Sequence, residues 1–212
     1  YAAFINGNLD SLLNSDASVI ILDDVGKLRT SETNALQVWV EGGGVLIRFA
    51  GPGLAEAAQD GSPALTPAPL RGGGRAFGGA LTWETPQNLD GFASDSPFAG
   101  LIVPKDVLVR RQVLAEPGGE TTEKTWARLT DGTPLVTGTR TGSGVIALFH
   151  VTATPDWSDL PISGLFVDML RRLTFLSTIG PDAVSEGANL KYPPLRLLDG
   201  QGRLNRPNET AR

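Results

Sequence analysis

Between Ser18 and Leu54 the hydrophobic and polar positions spell out strand, turn, helix, triple glycine, strand. Ser18–Leu22 is a short apolar run rich in β-branched residues, as expected of a strand buried on both faces. Asp23, Asp24 and Gly26 end it. Thr30 or Ser31 is placed to cap a helix over Ser31–Glu41, with Glu32 in the first turn, where a carboxylate complements the exposed amides. Ala35, Leu36, Trp39 and Val40 recur at three- and four-residue spacing, which gives the helix one sheet-facing side. Gly42–Gly44 stop it, since glycine takes a left-handed turn without a Cβ clash. Val45–Ala50 is a second buried strand. The unit is β-α-β and calls for a right-handed crossover in a parallel sheet.

Elsewhere the period changes. Residues 1–17 predict a short helix with Leu9, Leu12 and Leu13 on one side, leading into the first strand. Ala55–Pro69 begins as a helix and dissolves into a loop. From Ala76 to Thr139 short apolar runs (Ala80–Trp83, Leu101–Val103, Val107–Leu114) alternate with Pro, Gly, Asn and Asp, the pattern of a β-rich insertion. Trp126–Leu129, the turn Asp131-Gly132 and Pro134–Thr137 predict a hairpin. A turn at Gly142–Gly144 leads into Val145–Val151, the most apolar strand of the second half. Ile162–Leu176 is an amphipathic helix with Leu165, Phe166, Met169, Leu170 and Leu173 on one face. Residues 1–180 therefore read as one α/β domain with an insertion at about 76–139, and 181–212 as a linker or tail towards a missing C-terminal domain. The start at Tyr1 and the polar tail fit a piece of a longer protein.

Composition removes whole classes of function. A formal charge of −5, from 18 basic and 23 acidic residues, argues against a nucleic-acid surface, which needs a clustered basic face. Zero cysteines exclude disulfides, thiolate metal sites and thiol nucleophiles. No apolar run approaches the ~20 residues that span a bilayer.

Candidate chemistry is sparse. The triple glycine follows a helix and opens a strand, whereas a phosphate cradle follows a strand and opens a helix. Gly51-Pro52-Gly53 is better placed, although Pro52 removes one amide donor. Asp23 and Asp24 end the first strand, at the edge where open α/β sheets bind ligands. They either bind a metal or polar ligand or cap the turn. His150, the one histidine, sits in an apolar strand and reaches the same edge or is a satisfied core residue. No glycine-x-serine-x-glycine elbow is present.

Two segments carry a family resemblance. GGGVLIRFAGPGL resembles the strand and elbow of class I glutamine amidotransferase-like domains, and GVIALFHVTA resembles their late strand, which ends in Phe-His-Pro-Glu. Phe149 and His150 match. The family's proline and glutamate fall on Val151 and Thr152, and its nucleophilic cysteine on Phe49 or Gly51. The resemblance therefore implies a three-layer, flavodoxin-like, mostly parallel sheet without its acyl-transfer machinery. A wider resemblance runs through VWVEGGGVLIRFAGP, SPFAGLIVP, WARLTDGTPLVTGTRTGSG, FHVTATPDWSDLPISGLFVDMLRRL and PPLRLLDGQGRL. These are similar to the central region of uncharacterised bacterial membrane proteins with an N-terminal double-transmembrane region of the aerotolerance-regulator (Bat) type and a C-terminal domain of unknown function. That resemblance implies a soluble domain of an inner-membrane protein, on its periplasmic or its cytoplasmic face, anchored through segments outside this sequence.

The leading expectation is a non-catalytic binding or scaffold domain with no cofactor and no metal, whose partner is a protein or another domain of the same chain. Its candidate crevice comprises Asp23, Asp24, Phe49, Gly51, His150 and Asp156. The competing expectation is a hydrolase or metal-dependent enzyme that uses Asp23, Asp24, His150 and Asp156, which requires those side chains to converge. A third is carbohydrate recognition through Trp157 or Trp83 with neighbouring acids.

Overall fold

A computed structural model describes residues 2–4, 9–13, 17–60, 65–71, 80–179, 197–198 and 204–205. The chain opens with a short strand β1 (Ala2–Phe4) and helix α1 (Leu9–Leu13), then β2 (Val19–Asp23), α2 (Thr30–Glu41), β3 (Val45–Phe49) and α3 (Pro52–Gln59). Next come β4 (Ala80–Phe92), β5 (Leu108–Val113), a five-residue helix α4 (Gly119–Glu123), β6 (Thr125–Leu129), β7 (Pro134–Thr141) and β8 (Gly144–Phe149). A 3₁₀ turn over Leu160–Ile162 precedes α5 (Gly164–Thr174), and β9 (Leu197–Leu198) pairs antiparallel with β10 (Leu204–Asn205).

The first eight strands form one sheet in the order β1-β2-β3-β8-β7-β6-β4-β5. β1, β2, β3 and β8 are mutually parallel, with Val19 opposite Val45 and Val45 opposite Val145. The three strands called in the sequence thus share a sheet. The sheet is not mostly parallel, however: β7, β6, β4 and β5 continue it through antiparallel pairings. The cause is local. β7 and β8 are joined by the tight turn Gly142-Ser143, and strands linked by so short a connection can only lie antiparallel. Gly142 has φ of 59°, and a Cβ there would lie 2.7 Å from the Glu41 carbonyl oxygen. The β-rich region is therefore an extension of the main sheet. Its strands match the sequence pattern except at Leu101–Val103, which is loop; nearby Phe98 is fully buried and packs edge-on against Phe92 and Trp126.

Alternation along the central strands divides the core between two faces. Val45, Ile47 and Phe49 of β3, with Val145, Ala147 and Phe149 of β8, meet Leu165, Met169 and Leu173 of α5. On the opposite face Leu46 and Ile146 pack with Leu36 and Val40 of α2, while Ala50 and Leu148 pack with Leu54 and Ala55 of α3. The result is an α/β fold with helices on both faces of a mixed sheet. No helix among the described residues is long and apolar enough to cross a membrane.

Several local expectations change. β1 occupies Ala2–Phe4, inside the segment expected to be only helix, and α1 spans Leu9–Leu13. Neither Thr30 nor Ser31 caps α2. Arg29 holds the N-cap position, and its backbone N–H and guanidinium both donate to the Glu32 carboxylate, at 2.8 and 2.6 Å. α5 starts at Gly164, where the Ser163 hydroxyl accepts from the Phe166 amide. The glycine stop after α2 does occur, with Gly43 at φ of 116°. Residues 181–212 lie outside the described residues apart from β9 and β10.

Of the residues expected on the sheet-facing side of α2, Leu36 and Val40 are fully buried and Trp39 is half-buried, whereas Val38 is 68% exposed. Leu36→Ala is expected to destabilise the fold by about 2–5 kcal/mol through lost burial and a cavity. Val38→Ala should stay within about 0.5 kcal/mol, as surface substitutions do. Denaturant unfolding of the two variants checks the orientation of the helix.

Candidate functional site

The carboxyl end of the parallel strands is built around Asp24. It follows β2 directly and adopts φ of 48°, a left-handed conformation that aspartate tolerates better than most residues. This turn aims its carboxylate at the start of α3. Oδ1 accepts from the amides of Gly51 (2.9 Å) and Leu54 (2.9 Å), and Oδ2 accepts from Gly53 (3.0 Å). Three donors that a helix N-terminus leaves without partners are thus satisfied by one side chain. Gly51-Pro52-Gly53 is accordingly a helix start, with Gly51 at the N-cap and Pro52 in the first turn. The glycines are needed for contact. A Cβ on Gly51 would lie 2.5 Å from the Asp24 carboxyl carbon, one on Gly53 2.8 Å from the Asp24 carbonyl oxygen, and one on Gly26 2.2 Å from the Gly53 carbonyl oxygen.

Arg48 stands beneath this turn. It is fully buried on β3, on the side facing away from α5, and its Nη2 donates to the Val25 carbonyl. Nε and Nη1 have no partner among the described residues. Burial pushes its pKa down to about 10, against the attraction of the Asp24 carboxylate, so it remains a cation at neutral pH. Its position inside the run VLIRFA hid it, because its five apolar neighbours read as a buried strand.

The remaining candidates have separate partners. Asp23 Oδ1 accepts from the Ala153 amide at 3.3 Å, which ties the end of β2 to the loop after β8. Phe49 is a core ring, stacked on Phe149 at 4.9 Å between centroids and tilted against Phe166. Asp156 is exposed and accepts from the Thr154 hydroxyl at 2.9 Å. His150 is fully buried: Nδ1 lies 2.8 Å from the Val113 carbonyl oxygen, and Nε2 lies 3.1 Å from the Thr137 hydroxyl. A carbonyl only accepts, so Nδ1 carries the proton and Nε2 accepts from Thr137. Burial pushes the imidazole pKa down to about 4, opposed by the Val113 hydrogen bond. The ring is neutral and both nitrogens are engaged. Among the described residues, no group of three or more His, Asp or Glu side chains is arranged to hold a metal ion.

A cavity of about 400 Å³ opens in the antiparallel part of the sheet, lined by Arg71, Arg128, Asp131 and several threonines. None of the sheet-edge candidates lines it. Sequence reading missed it because its residues are scattered over 64 positions with no motif spacing.

No family model matches the chain, and no curated protein matches it. Solved structures do. A cytoplasmic protein of Salmonella typhimurium aligns with a TM-score of 0.59 at 14% identity, covering 82% of this chain and 76% of that one. A second cytoplasmic protein, from Salmonella typhimurium LT2, aligns over the same shares with a TM-score of 0.55 and 14% identity. At such identity these likenesses bear on the fold alone. A beta-galactosidase from Bacillus circulans sp. alkalophilus aligns at a TM-score of 0.43 and 13% identity, over 76% of this chain and 23% of its own, too loosely to carry any argument.

Two outcomes follow from the geometry. Asp24→Ala leaves three amides unpartnered and places alanine at a positive φ, and should destabilise by about 2–3 kcal/mol. Asp24→Asn keeps one carbonyl oxygen for the Gly51 and Leu54 amides and should cost about half as much; unfolding curves rank the two. For His150, the folded pKa lies below the ordinary value of 6.5, so its contribution is complete above pH 6.5 and is lost as pH falls towards 4. The loss amounts to roughly 3 kcal/mol. Comparing unfolding midpoints at pH 7.5 and 4.5 for the native chain and His150→Gln isolates it, the variant showing the smaller drop.

Proposed function

We propose that the chain is a non-catalytic binding or scaffold domain, a degenerate flavodoxin-like, class I glutamine amidotransferase-like fold that lacks its nucleophile. The carrying observation is that the positions matching that family's nucleophile (Phe49 or Gly51) and base (His150) are committed to structure, Phe49 as a core ring stacked on Phe149. Gly51 is pressed against the Asp24 carboxylate, and His150 is neutral, buried and hydrogen-bonded through both ring nitrogens. A general base must reach the proton it removes, and His150 has no free nitrogen with which to do so. The resemblance to Bat-type membrane proteins supports the rest of the reading: a periplasmic domain of an inner-membrane protein, anchored by segments outside this sequence, whose partner is a protein or a neighbouring domain and not nucleic acid.

Ammonia release from glutamine tests the reading. The purified chain is expected to stay at background, and so is Gly51→Cys, because the added side chain displaces Asp24 and finds no base. Turnover above background that disappears in His150→Ala would overturn it.

A further inference from the structure

The cleft in the antiparallel part of the sheet has the features of a binding site that the sheet edge lacks. Its volume, about 400 Å³, lies within the range of about 300–1,000 Å³ typical of small-molecule pockets. Arg71 is brought there by backbone pairing: its amide donates to the Leu114 carbonyl at 2.8 Å, and Leu70 bridges to Ala115. Arg128 comes from β6, opposite Gly91 and Pro134. Neither guanidinium has a hydrogen-bond or ion-pair partner among the described residues, although five other basic side chains there do form ion pairs. Two unpaired forks on one cavity suit an oxyanion, which guanidinium binds in bidentate fashion.

The threonines narrow the ligand further. Thr121, Thr122 and Thr125 donate their hydroxyl protons to the carbonyls of Glu116 (2.7 Å), Gly118 (3.0 Å) and Thr121 (2.7 Å). Thr133 donates its proton to Asp131 at 2.8 Å. A hydroxyl has one proton, so these four side chains and the Asp131 carboxylate offer the cleft acceptors only. Donors must come from the ligand, and Asp131 repels a simple anion. We infer that the cleft binds a small polyol bearing an oxyanion, a sugar phosphate or a sugar acid, with the oxyanion on Arg71 and Arg128 and hydroxyls on the threonine and Asp131 oxygens. The inference deepens the binding-domain reading and rests on it.

Titration calorimetry of the purified chain at low salt tests it, with glucose 6-phosphate, glucuronate, inorganic phosphate and neutral glucose as probes. Either glucose 6-phosphate or glucuronate should bind saturably with Kd below about 1 mM, and which of them binds more tightly identifies the oxyanion. Inorganic phosphate and glucose should each bind at least about tenfold more weakly, since each lacks one half of the ligand. Arg71→Gln and Arg128→Gln should each weaken the better ligand by about tenfold or more, whereas Arg140→Gln, outside the cleft, should not. Unchanged thermal unfolding of both cleft variants shows that the loss is local. No saturable binding up to about 10 mM, equal affinity for inorganic phosphate or glucose, or indifference to both cleft variants would overturn the inference. None of those results would alter the ammonia-release outcome, so the two readings fail separately.

Discussion

The contact between the Asp24 carboxylate and the first turn of α3 fixes the carboxyl end of the sheet. In open α/β sheets that end is where a helix N-terminus, with its unpartnered amides and partial positive charge, receives an anion from outside. Here the chain supplies the anion itself. Three amides are spoken for, the glycines on either side are packed too closely to admit a side chain, and buried Arg48 adds a compensating charge below. Phosphate binding and nucleophile presentation would both require this contact to open. The carboxyl end of this sheet is a structural joint.

Arg48 shows the thermodynamic side of the same arrangement. A buried guanidinium with two donor atoms unpartnered is costly to desolvate, and an apolar residue of similar size is often at least as stabilising. Its bond to the Val25 carbonyl holds the turn after β2 in place, and its charge lies close to the carboxylate that organises α3. What Arg48 provides is positional, through fixing one geometry of that turn. His150 is the opposite case. It carries no charge, both nitrogens are satisfied, and it links the end of β8 to β5 and β7 through Val113 and Thr137.

The parallel core was legible in the sequence because its signals are local. Ser18–Leu22, Val45–Ala50 and Val145–Val151 are continuous apolar runs, and the helix between the first two ends at a glycine triplet. The hairpin turns at Asp131-Gly132 and Gly142-Ser143 were legible too, but not that these strands continue the main sheet, because alternation reports burial and not the identity of a neighbour. Capping by Asp24 was among the readings open for that residue, but its target, 27 residues away at Gly51, leaves no mark on local pattern. Arg48 was hidden by its apolar neighbours. The cleft of Arg71 and Arg128 was hidden by distance, since the segment before β4, the loop after β5, α4, β6 and the turn after β6 assemble it from separate parts of the chain.

The pairing of β3 with β8 joins Val45 to Val145, so the middle of the sheet is a seam between chain segments 100 residues apart. On one side lies a β-α-β unit made of near neighbours in sequence; on the other, β6, β7 and β8 follow one another through short turns. Each can gather its contacts with little loss of chain entropy, whereas joining them closes a very long loop before any contact across the seam is gained. The contacts that close the longest loop in this chain are thus assigned to its most deeply buried strands. Until the seam forms, the apolar faces of β3 and β8 stay exposed, and during that interval the chain is most vulnerable to pairing with the wrong partner.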